Sequence, residues 1–446
     1  MEDALSIRPA TTNICDMDMV DAAAAVRAGD FTFEALTKAC LERAEATAEL
    51  HAWERIFPEA ALTAARAQDL LLAAGYDFGP LQGMPIGLKS NIAIAGHPHS
   101  AGSKLLAQTM ATQDACVTAR LKQAGAVILG QTNMHEFAWG GTTANPHYGQ
   151  ARNPHDPSRI PAGSSGGSGA AVAAGSAMAA LGTDTGGSVR LPASMNGIYG
   201  LRPGVGQLSV DGIFPLAFSL DTVGPMTRSA RDASLLYDAM AGHTAATPSR
   251  PLRRIGLPRA YVYARLEAPV EAAFTRWIDA QAARGIEIVD IDLPDMDLAV
   301  DALVIADAAE PTAVHDGWLD QHPEAYGADV RAQLLAGRSI RATEYLHAQR
   351  FRAVFRSRVL EALSHVDVIA MPTIPFVPPQ IGQAEVILSG QAESTLTANM
   401  RFTALASCAA LPAISLPTDT HGGLPIGVQL IGPDGSERDL MAFAAQ

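Results

Sequence analysis

Two stretches rich in glycine and serine lie close together in the chain and limit what it can fold into. The first, GSSGGSGAAVAAG, covers residues 163–175, and the second, GTDTGGSVR, covers residues 182–190. Each adjoins sequence of strong structural character, either an alanine-rich helical pattern or a short apolar strand. Flexible linkers, phosphate-binding loops and serine hydrolases all use such stretches, so the neighbouring residues have to distinguish them.

The residues around the two stretches disagree with most of the simple interpretations of them. A linker would be flanked by polar, low-complexity sequence, whereas these stretches adjoin apolar elements. A phosphate-binding loop needs a lysine after its second glycine, and no lysine follows Arg152. The dinucleotide pattern G-x-G-x-x-G fails at Val172. The pattern G-x-S-x-G around Ser165 is preceded by the proline-rich stretch NPHDPSRIPAG, which disfavours the strand that a nucleophile elbow requires.

The rest of the chain alternates helical and strand-like patterns, which predicts an α/β fold. We expect helices over 17–48, 58–75 and 115–123, and strands within 81–96 and 124–133. A strand–helix–strand pattern covers 254–293, and a mainly helical segment covers about 295–365. No linker, repeat or charge block divides the 446 residues, so we predict one large domain over 1–446 with helices on both faces of its sheet.

Composition excludes several partners. The formal net charge of −14 disfavours nucleic acid. The four cysteines form no CxxC pair and are typical of buried residues in a reducing cytoplasm. No apolar run approaches the ~20 residues that span a bilayer, and the N-terminal stretch lacks a secretory pattern. The histidines show no metal-ligand spacing, because HEFAW lacks the second histidine of HExxH. We therefore expect a cytoplasmic protein without membrane, metal or cofactor.

Several segments carry a resemblance to a known family. PAGSSGGSGAAVAAGSAMAALGTDTGGSVRLPAS (161–194) resembles the defining segment of the amidase signature family almost throughout. GMPIGLKSN (83–91) is similar to the family's lysine segment, and DTVGPMTRSARDA (221–233) to a further block. The resemblance covers roughly residues 20–440. It implies the amidase signature fold, in which helices cover a mixed, twisted central β-sheet, with a core signature region at 80–245.

The resemblance also implies a catalytic set. Ser188 corresponds to the nucleophile, Ser164 to a serine that relays the proton after a cis peptide bond, and Lys89 to the base. The apolar sequence around Lys89 agrees with this role, because burial lowers the pKa of an amine and favours its neutral form. No cofactor is implied.

Further residues around the nucleophile receive roles in the same way. The backbone N–H groups of Thr185, Gly186, Gly187 and Ser188 can converge on one oxygen and form an oxyanion hole. Ser165 and Thr185 are expected to supply supporting hydrogen bonds. Arg190 and Asp184 flank the nucleophile, and we expect them to form a structural pair rather than to bind a substrate carboxylate.

The sequence departs from the family pattern at a few positions, which are Ser90, His99, Ala162, Ser407 and Ala410. None of these removes a catalytic group, but together they move the chain away from the tRNA-dependent amidotransferase branch. The helical segment resembles the helices that cover the active site in the family. By position, Trp139 and Gly140 of FAWGG are expected to bind substrate, as an aromatic wall beside a space widened by glycine.

These observations support a serine hydrolase that cleaves an amide-like C–N bond through an acyl-enzyme. A neutral aryl or alkyl amide, or a carbamate (urethane), fits best as the small-molecule substrate, with the protein a monomer or homodimer. A biuret-type amidohydrolase and an amidotransferase subunit of a larger complex remain alternatives. A non-catalytic binding protein on the same fold would not need the intact set of Lys89, Ser164 and Ser188.

Overall fold

A computed structural model describes residues 13–243 and 249–446. The first twelve residues, on which the expectation of no secretory signal largely rests, lie outside the described part. Within it, the strands are β1 (Trp53–Ile56), β2 (Pro85–Lys89), β3 (Val127–Thr132), β4 (Ala144–Asn145), β5 (Gly149–Gln150), β6 (Ala179–Asp184), β7 (Tyr199–Arg202), β8 (Thr222–Thr227), β9 (Arg254–Leu257), β10 (Glu287–Asp290), β11 (Val368–Pro372), β12 (Glu385–Leu388), β13 (Gln391–Ser394), β14 (Ala413–His421) and β15 (Leu424–Ile431).

The α-helices of the same residues carry the following bounds. They are α1 (Met19–Ala28), α2 (Phe33–Ala46), α3 (Pro58–Ala73), α4 (Cys116–Gln123), α5 (Gly166–Ala173), α6 (Arg190–Asn196), α7 (Ala230–Ala241), α8 (Arg259–Tyr263), α9 (Ala268–Ala283), α10 (Met296–Gln321), α11 (Ala328–Gly337), α12 (Ala342–Leu363), α13 (Thr395–Asn399), α14 (Thr403–Cys408) and α15 (Glu437–Ala444).

Eleven of the described strands form one central sheet in the order β1-β3-β2-β6-β8-β7-β14-β15-β11-β9-β10. The sheet is mixed: β2 lies parallel to both β3 and β6, whereas β6 pairs antiparallel with β8. Every residue of β2, β6 and β11 is buried, as expected for strands with helices on both faces. The predicted α/β fold with a mixed sheet flanked by helices is therefore confirmed.

Local sequence explains where several elements begin. Thr32 caps α2, and its hydroxyl accepts a hydrogen bond from the Ala35 N–H at 3.0 Å, which satisfies a free donor of the first turn. Small residues allow α5 to lie close to its neighbours: a Cβ at Gly167 would come within 2.2 Å of the Asn133 carbonyl oxygen. The alanine- and glycine-rich pattern thus reflects close packing.

The segment after β10 is helical, as the sequence predicts. The helix α10 packs against α11, α12 and α14. Elsewhere, the proline- and asparagine-rich stretch 142–163 contains only the short antiparallel strand pair β4–β5 as regular structure. None of the helices in the described residues is long and apolar enough to cross a membrane.

Candidate active site

Lys89 is the last residue of β2, and its side chain is fully buried. The Lys89 amine lies 2.7 Å from the Ser164 hydroxyl and 2.8 Å from the Thr183 hydroxyl. Burial lowers the pKa of this amine to about 7, although the negative charges of Asp221 and Asp184 act in the opposite direction. Near neutral pH a large fraction of Lys89 is therefore uncharged and able to accept a proton.

The central sheet brings these groups together. The parallel pairing of β2 with β6 aligns Leu88 with Leu181, so Lys89 and Thr183 lie at the same end of neighbouring strands. Ser164 stands just before α5, and the peptide bond between Gly163 and Ser164 is cis. The Ser164 carbonyl accepts a hydrogen bond from the His135 N–H at 3.1 Å. The Ser164 hydroxyl is thereby held beside the lysine.

Ser188 belongs to a loop between β6 and α6, which we call the 185–188 loop. The Ser188 carbonyl accepts a hydrogen bond from the Ser165 N–H at 3.3 Å, so this loop lies directly beside the turn that carries Ser164. Unlike Ser164, Ser188 is partly exposed, and it lines a cavity. Lys89 and Ser164 are thus fully buried, and Ser188 lies on the adjoining loop at the wall of a cavity.

Each of the first three carbonyls of the 185–188 loop accepts a hydrogen bond from a neighbouring group. Arg202 donates to the Thr185 oxygen at 3.2 Å, the Thr403 hydroxyl to the Gly186 oxygen at 2.7 Å, and the Leu191 N–H to the Gly187 oxygen at 2.7 Å. The four N–H groups of the loop meet no acceptor in the described residues. Such a row of free donors can bind an anionic oxygen.

The two glycines of this loop differ in how strictly they are required. Gly187 has φ +140°, and a Cβ there would lie 2.4 Å from the Thr403 hydroxyl. Gly186 has ordinary backbone angles, and its Cβ would meet only the flexible ends of Met400 and Leu303, at 3.1 and 3.3 Å. A side chain at position 187 is therefore excluded both by conformation and by space.

Asp184 and Arg190 form a fully buried ion pair, joined by bonds of 2.9 and 3.0 Å. Arg202 is a second buried partner of the same carboxylate at 2.9 Å. Arg190 also donates to Ser407, Thr403 and Gln429. Because its guanidinium is satisfied by protein groups and does not line the cavity, Arg190 fixes the loop rather than meeting a substrate carboxylate.

Two further hydrogen bonds anchor the surroundings of the loop. The Thr185 hydroxyl donates to Asp221 at 2.6 Å, and the Ser165 hydroxyl donates to the Thr183 carbonyl at 3.2 Å. Asp221 accepts additional bonds from the N–H groups of Leu216 and Ala217. Even so, burial raises the pKa of Asp221 to about 6.

The cavity that Ser188 lines has a volume of about 440 Å³. Trp139 and Gly140 belong to its wall, together with apolar residues from several elements, which include Ile160, Leu191, Leu216, Leu396 and Met400. A Cβ at Gly140 would lie 2.4 Å from the His135 ring, so the missing side chain makes room for that ring. A contact between Gly140 and substrate stays a prediction, in agreement with its place in the cavity wall.

Some residues of the cavity were not identified from the sequence. Asp307 of α10 and Asp329 and Gln333 of α11 line it, and Asp329 lies 2.8 Å from the His135 ring nitrogen Nε2. The segment 380–384 and the start of α13 complete the wall. Of these parts of the wall, only the helical segment was expected near the active site, because it resembles the helices that cover the active site in the family.

The charge of the cavity is one-sided. Its described lining holds two carboxyl groups and no lysine or arginine. In the described residues, no three histidine, cysteine, aspartate or glutamate side chains gather as metal ligands would. An anionic ligand would therefore find no lysine or arginine to pair with in the described part of this wall.

Thr183 and Asp221 could have been found from the sequence. Thr183 stands five residues before Ser188 on the strand that leads into its loop, and the parallel pairing of β6 with β2 places it near the end of β2. Asp221 begins the block DTVGPMTRSARDA. Asp307 had no such signal, because helical periodicity alone does not tell which face of α10 meets a cavity.

Comparison with known proteins identifies the family and the fold of the chain. The family model described as Amidase matches residues 35–441. A relative in Chromohalobacter salexigens, named as one subunit of glutamyl-tRNA(Gln) amidotransferase, is 34% identical over 97% of this chain and 96% of its own length.

Two solved structures extend the comparison. A crystal structure of an amidase superposes with a TM-score of 0.92 at 35% identity, over 96% of this chain and 98% of the other. The native peptide amidase from Stenotrophomonas maltophilia superposes with a TM-score of 0.80 at 30% identity, over 96% of both chains.

Proposed function

Because the chain belongs to the amidase signature family of C–N bond hydrolases, we propose that it cleaves a neutral amide through an acyl-enzyme on Ser188. The observation that carries this proposal is the short contact between the buried Lys89 amine and the Ser164 hydroxyl, beside the loop that bears Ser188. An aryl or alkyl amide, or a carbamate, is the substrate class that the largely apolar cavity favours.

The first half of the reaction forms an ester with Ser188. The Ser188 oxygen attacks the carbonyl carbon while its proton passes to Ser164, whose own proton passes to the neutral Lys89 amine. The carbonyl oxygen becomes an oxyanion, which accepts hydrogen bonds from the N–H groups of the 185–188 loop. The C–N bond then breaks, and the proton held by Lys89 returns through Ser164 to the leaving nitrogen.

The second half releases the acyl group. Water attacks the ester carbon and gives its proton through Ser164 to Lys89, and the same N–H groups stabilise the new oxyanion. The C–O bond to Ser188 breaks, and Ser188 recovers its proton by the same relay. With a carbamate, the same steps release the amine and leave a carbonate ester on Ser188, which hydrolyses in turn.

The curated relative raises a second candidate, an amidotransferase subunit that takes ammonia from glutamine. A glutamine substrate carries an α-carboxylate, for which the described cavity wall offers no lysine or arginine. The departures at Ser90, His99, Ala162, Ser407 and Ala410 point in the same direction. Ala162 and Ala410 even retain positive φ angles of 61° and 56°, at positions where the family has glycine.

A panel of substrates tests the proposal on the purified chain alone. It consists of a 4-nitroanilide, an aryl carbamate, a biuret-like diamide and glutamine, compared by kcat/KM. We expect the anilide or the carbamate to be preferred over glutamine at least a hundredfold, about 2.7 kcal/mol in transition-state energy. Preference for the diamide would favour the biuret-type alternative, and glutamine hydrolysis that needs a partner protein would favour the amidotransferase.

A further inference from the structure

Asp307 lies in the cavity wall with part of its carboxyl group unused. Of the lining residues that the structure describes, Asp307 alone has a buried side-chain oxygen, Oδ1, without a hydrogen-bond partner. The Trp139 side chain lies beside the same carboxyl group and acts to lower its pKa. Because buried polar atoms are nearly always hydrogen bonded, a carboxyl group in a cavity wall with one oxygen left unpaired indicates a partner that arrives with the ligand.

The fold places Asp307 close to the 185–188 loop. Leu303, four residues earlier on α10, is the residue that a Cβ at Gly186 would meet at 3.3 Å. Four residues of helix correspond to a rise of about 6 Å, so Asp307 stands roughly one turn farther along from that contact. A small substrate with its carbonyl group at Ser188 can therefore extend to Asp307.

Two neighbouring carboxylates differ from Asp307 because their oxygens accept hydrogen bonds from protein groups. Asp221 accepts hydrogen bonds from Thr185, Leu216 and Ala217. Glu310, one turn beyond Asp307, accepts from Ser219 and Tyr345. These two groups are held by the fold, whereas the Asp307 carboxyl group keeps an unpaired oxygen.

Charge decides which kind of donor fits. Burial and the negative charges of Asp221 and Glu310 raise the pKa of Asp307 to about 8, so its carboxyl group is mostly neutral at pH 7. A carboxyl group keeps an acceptor oxygen in both protonation states. A neutral N–H group can donate to that oxygen while the carboxyl group stays protonated, whereas an ammonium ion pairs best with an ionised carboxylate.

We propose that Asp307 determines specificity by accepting a hydrogen bond from a second, uncharged N–H group of the substrate, beyond the scissile bond. This inference rests on the proposed amide hydrolysis. It narrows the substrate class to neutral amides that carry a further N–H group on the acyl side of the scissile bond. Asp307 acts here by binding and takes no part in proton transfer.

Matched substrates isolate the contact. The probes are N-acetylglycine and N-acetyl-β-alanine 4-nitroanilides, each compared with the analogue whose acyl-side nitrogen is methylated and so lacks the N–H. The two spacers cover different distances from Ser188. For the wild-type chain we expect kcat/KM to favour the N–H substrate at least tenfold in one of the pairs.

Variants assign the preference to Asp307. Asp307→Ala should reduce the ratio to near one, and Asp307→Asn, which keeps an acceptor oxygen, should retain part of it. Asp301→Ala, at an exposed position of the same helix, is the control and should keep the wild-type ratio. Thermal unfolding verifies that each variant folds.

The possible failures are distinct. A wild-type ratio near one in both pairs, or a ratio that survives Asp307→Ala, would overturn the inference and leave the proposed function standing. The glycine 4-nitroanilide carries an ammonium group. If it were hydrolysed faster than its N-acetyl derivative, the inference that the donor is uncharged would be overturned. No turnover of any anilide by the wild-type chain would count against the proposed function, and the inference would fall with it.

Discussion

The amine of Lys89 and the hydroxyl of Ser164 lie 2.7 Å apart although 75 residues separate them in the chain. Neither group is exposed to solvent. A lysine enclosed in this way is held near its point of half-protonation, which a surface lysine, with a pKa above 10, never reaches at neutral pH. The predictions below follow from this contact and from the loop beside it.

Replacing Ser188 should remove the nucleophile. Ser188→Ala is expected to lower kcat/KM on the order of 10⁴-fold or more and to abolish labelling by a serine-directed phosphonate. Mass spectrometry of the labelled chain identifies the modified residue. Ser165→Ala serves as the comparison and should still be labelled. Labelling that depends on Ser165 instead would establish the nucleophile elbow that the sequence disfavours.

Lys89 and Ser164 should behave as one unit. Lys89→Ala and Ser164→Ala are each expected to lower kcat on the order of 10³-fold or more, because either change interrupts the same proton path. The double variant should be no worse than the poorer single variant. A double-mutant cycle measures this coupling, and losses that simply multiply would show that the two side chains act independently.

The reaction should need the neutral form of Lys89. With a pKa of about 7, we expect kcat/KM to fall about tenfold per pH unit below that value and to level off above it. A pH profile of kcat/KM from 5 to 9 measures this fall, and a neutral anilide is used because it does not titrate in that range. A profile that is flat, or that falls as the pH rises, would contradict Lys89 as the base.

The two loop glycines should respond differently to alanine. Gly187→Ala forces a Cβ against Thr403 in a backbone conformation that alanine disfavours, and we expect a loss on the order of 10²-fold in kcat. Gly186→Ala meets only flexible side chains and should cost less than about tenfold. Steady-state kinetics of both variants gives the comparison. Equal losses would mean that the exact path of the loop does not matter.

Asp184 should be required for stability as well as for activity. Asp184→Asn leaves the guanidinium groups of Arg190 and Arg202 buried without their shared carboxylate, which should cost about 3–5 kcal/mol in the free energy of unfolding. Urea denaturation at pH 7 measures the loss. The exposed pair Arg259–Asp290 offers the control, since Asp290→Asn should cost less than about 1 kcal/mol. Similar costs at both positions would refute the structural role of Asp184.

Sequence reasoning predicts the fold well where patterns are local. Helix α3 follows from periodicity, and the buried strands β2 and β3 follow from short apolar runs between turns. The single helix expected over 17–48 is instead two helices, because Gly29 ends α1 in a left-handed conformation and Thr32 caps α2. The eleven-strand order does not follow from such patterns, because pairing of distant strands leaves no local trace. For that part, only the resemblance to a family supplied an expectation.

The candidate site divides in the same way. Lys89, Ser164 and Ser188 lie in motifs that the sequence displays, and the structure brings the turn of Ser164 between the other two segments. The cavity wall is different, since Asp307, Asp329 and Met400 come from three separate parts of the chain. The packing of the His135 ring against Gly140 was not predictable either, because a missing Cβ does not reveal which neighbouring group takes its place.

Because the site needs the parallel pairing of β2 with β6, catalytic activity reports whether the chain has folded completely. This pairing joins segments whose hydrogen-bonded side chains, Lys89 and Thr183, are 94 residues apart, so a long loop must close before the amine meets its partners. Collapsed intermediates that have native helices but lack this pairing would show no hydrolytic activity. The time at which turnover recovers during refolding would therefore be the time at which the centre of the sheet assembles. A fragment that ends before β6 would stay inactive however well its helices form.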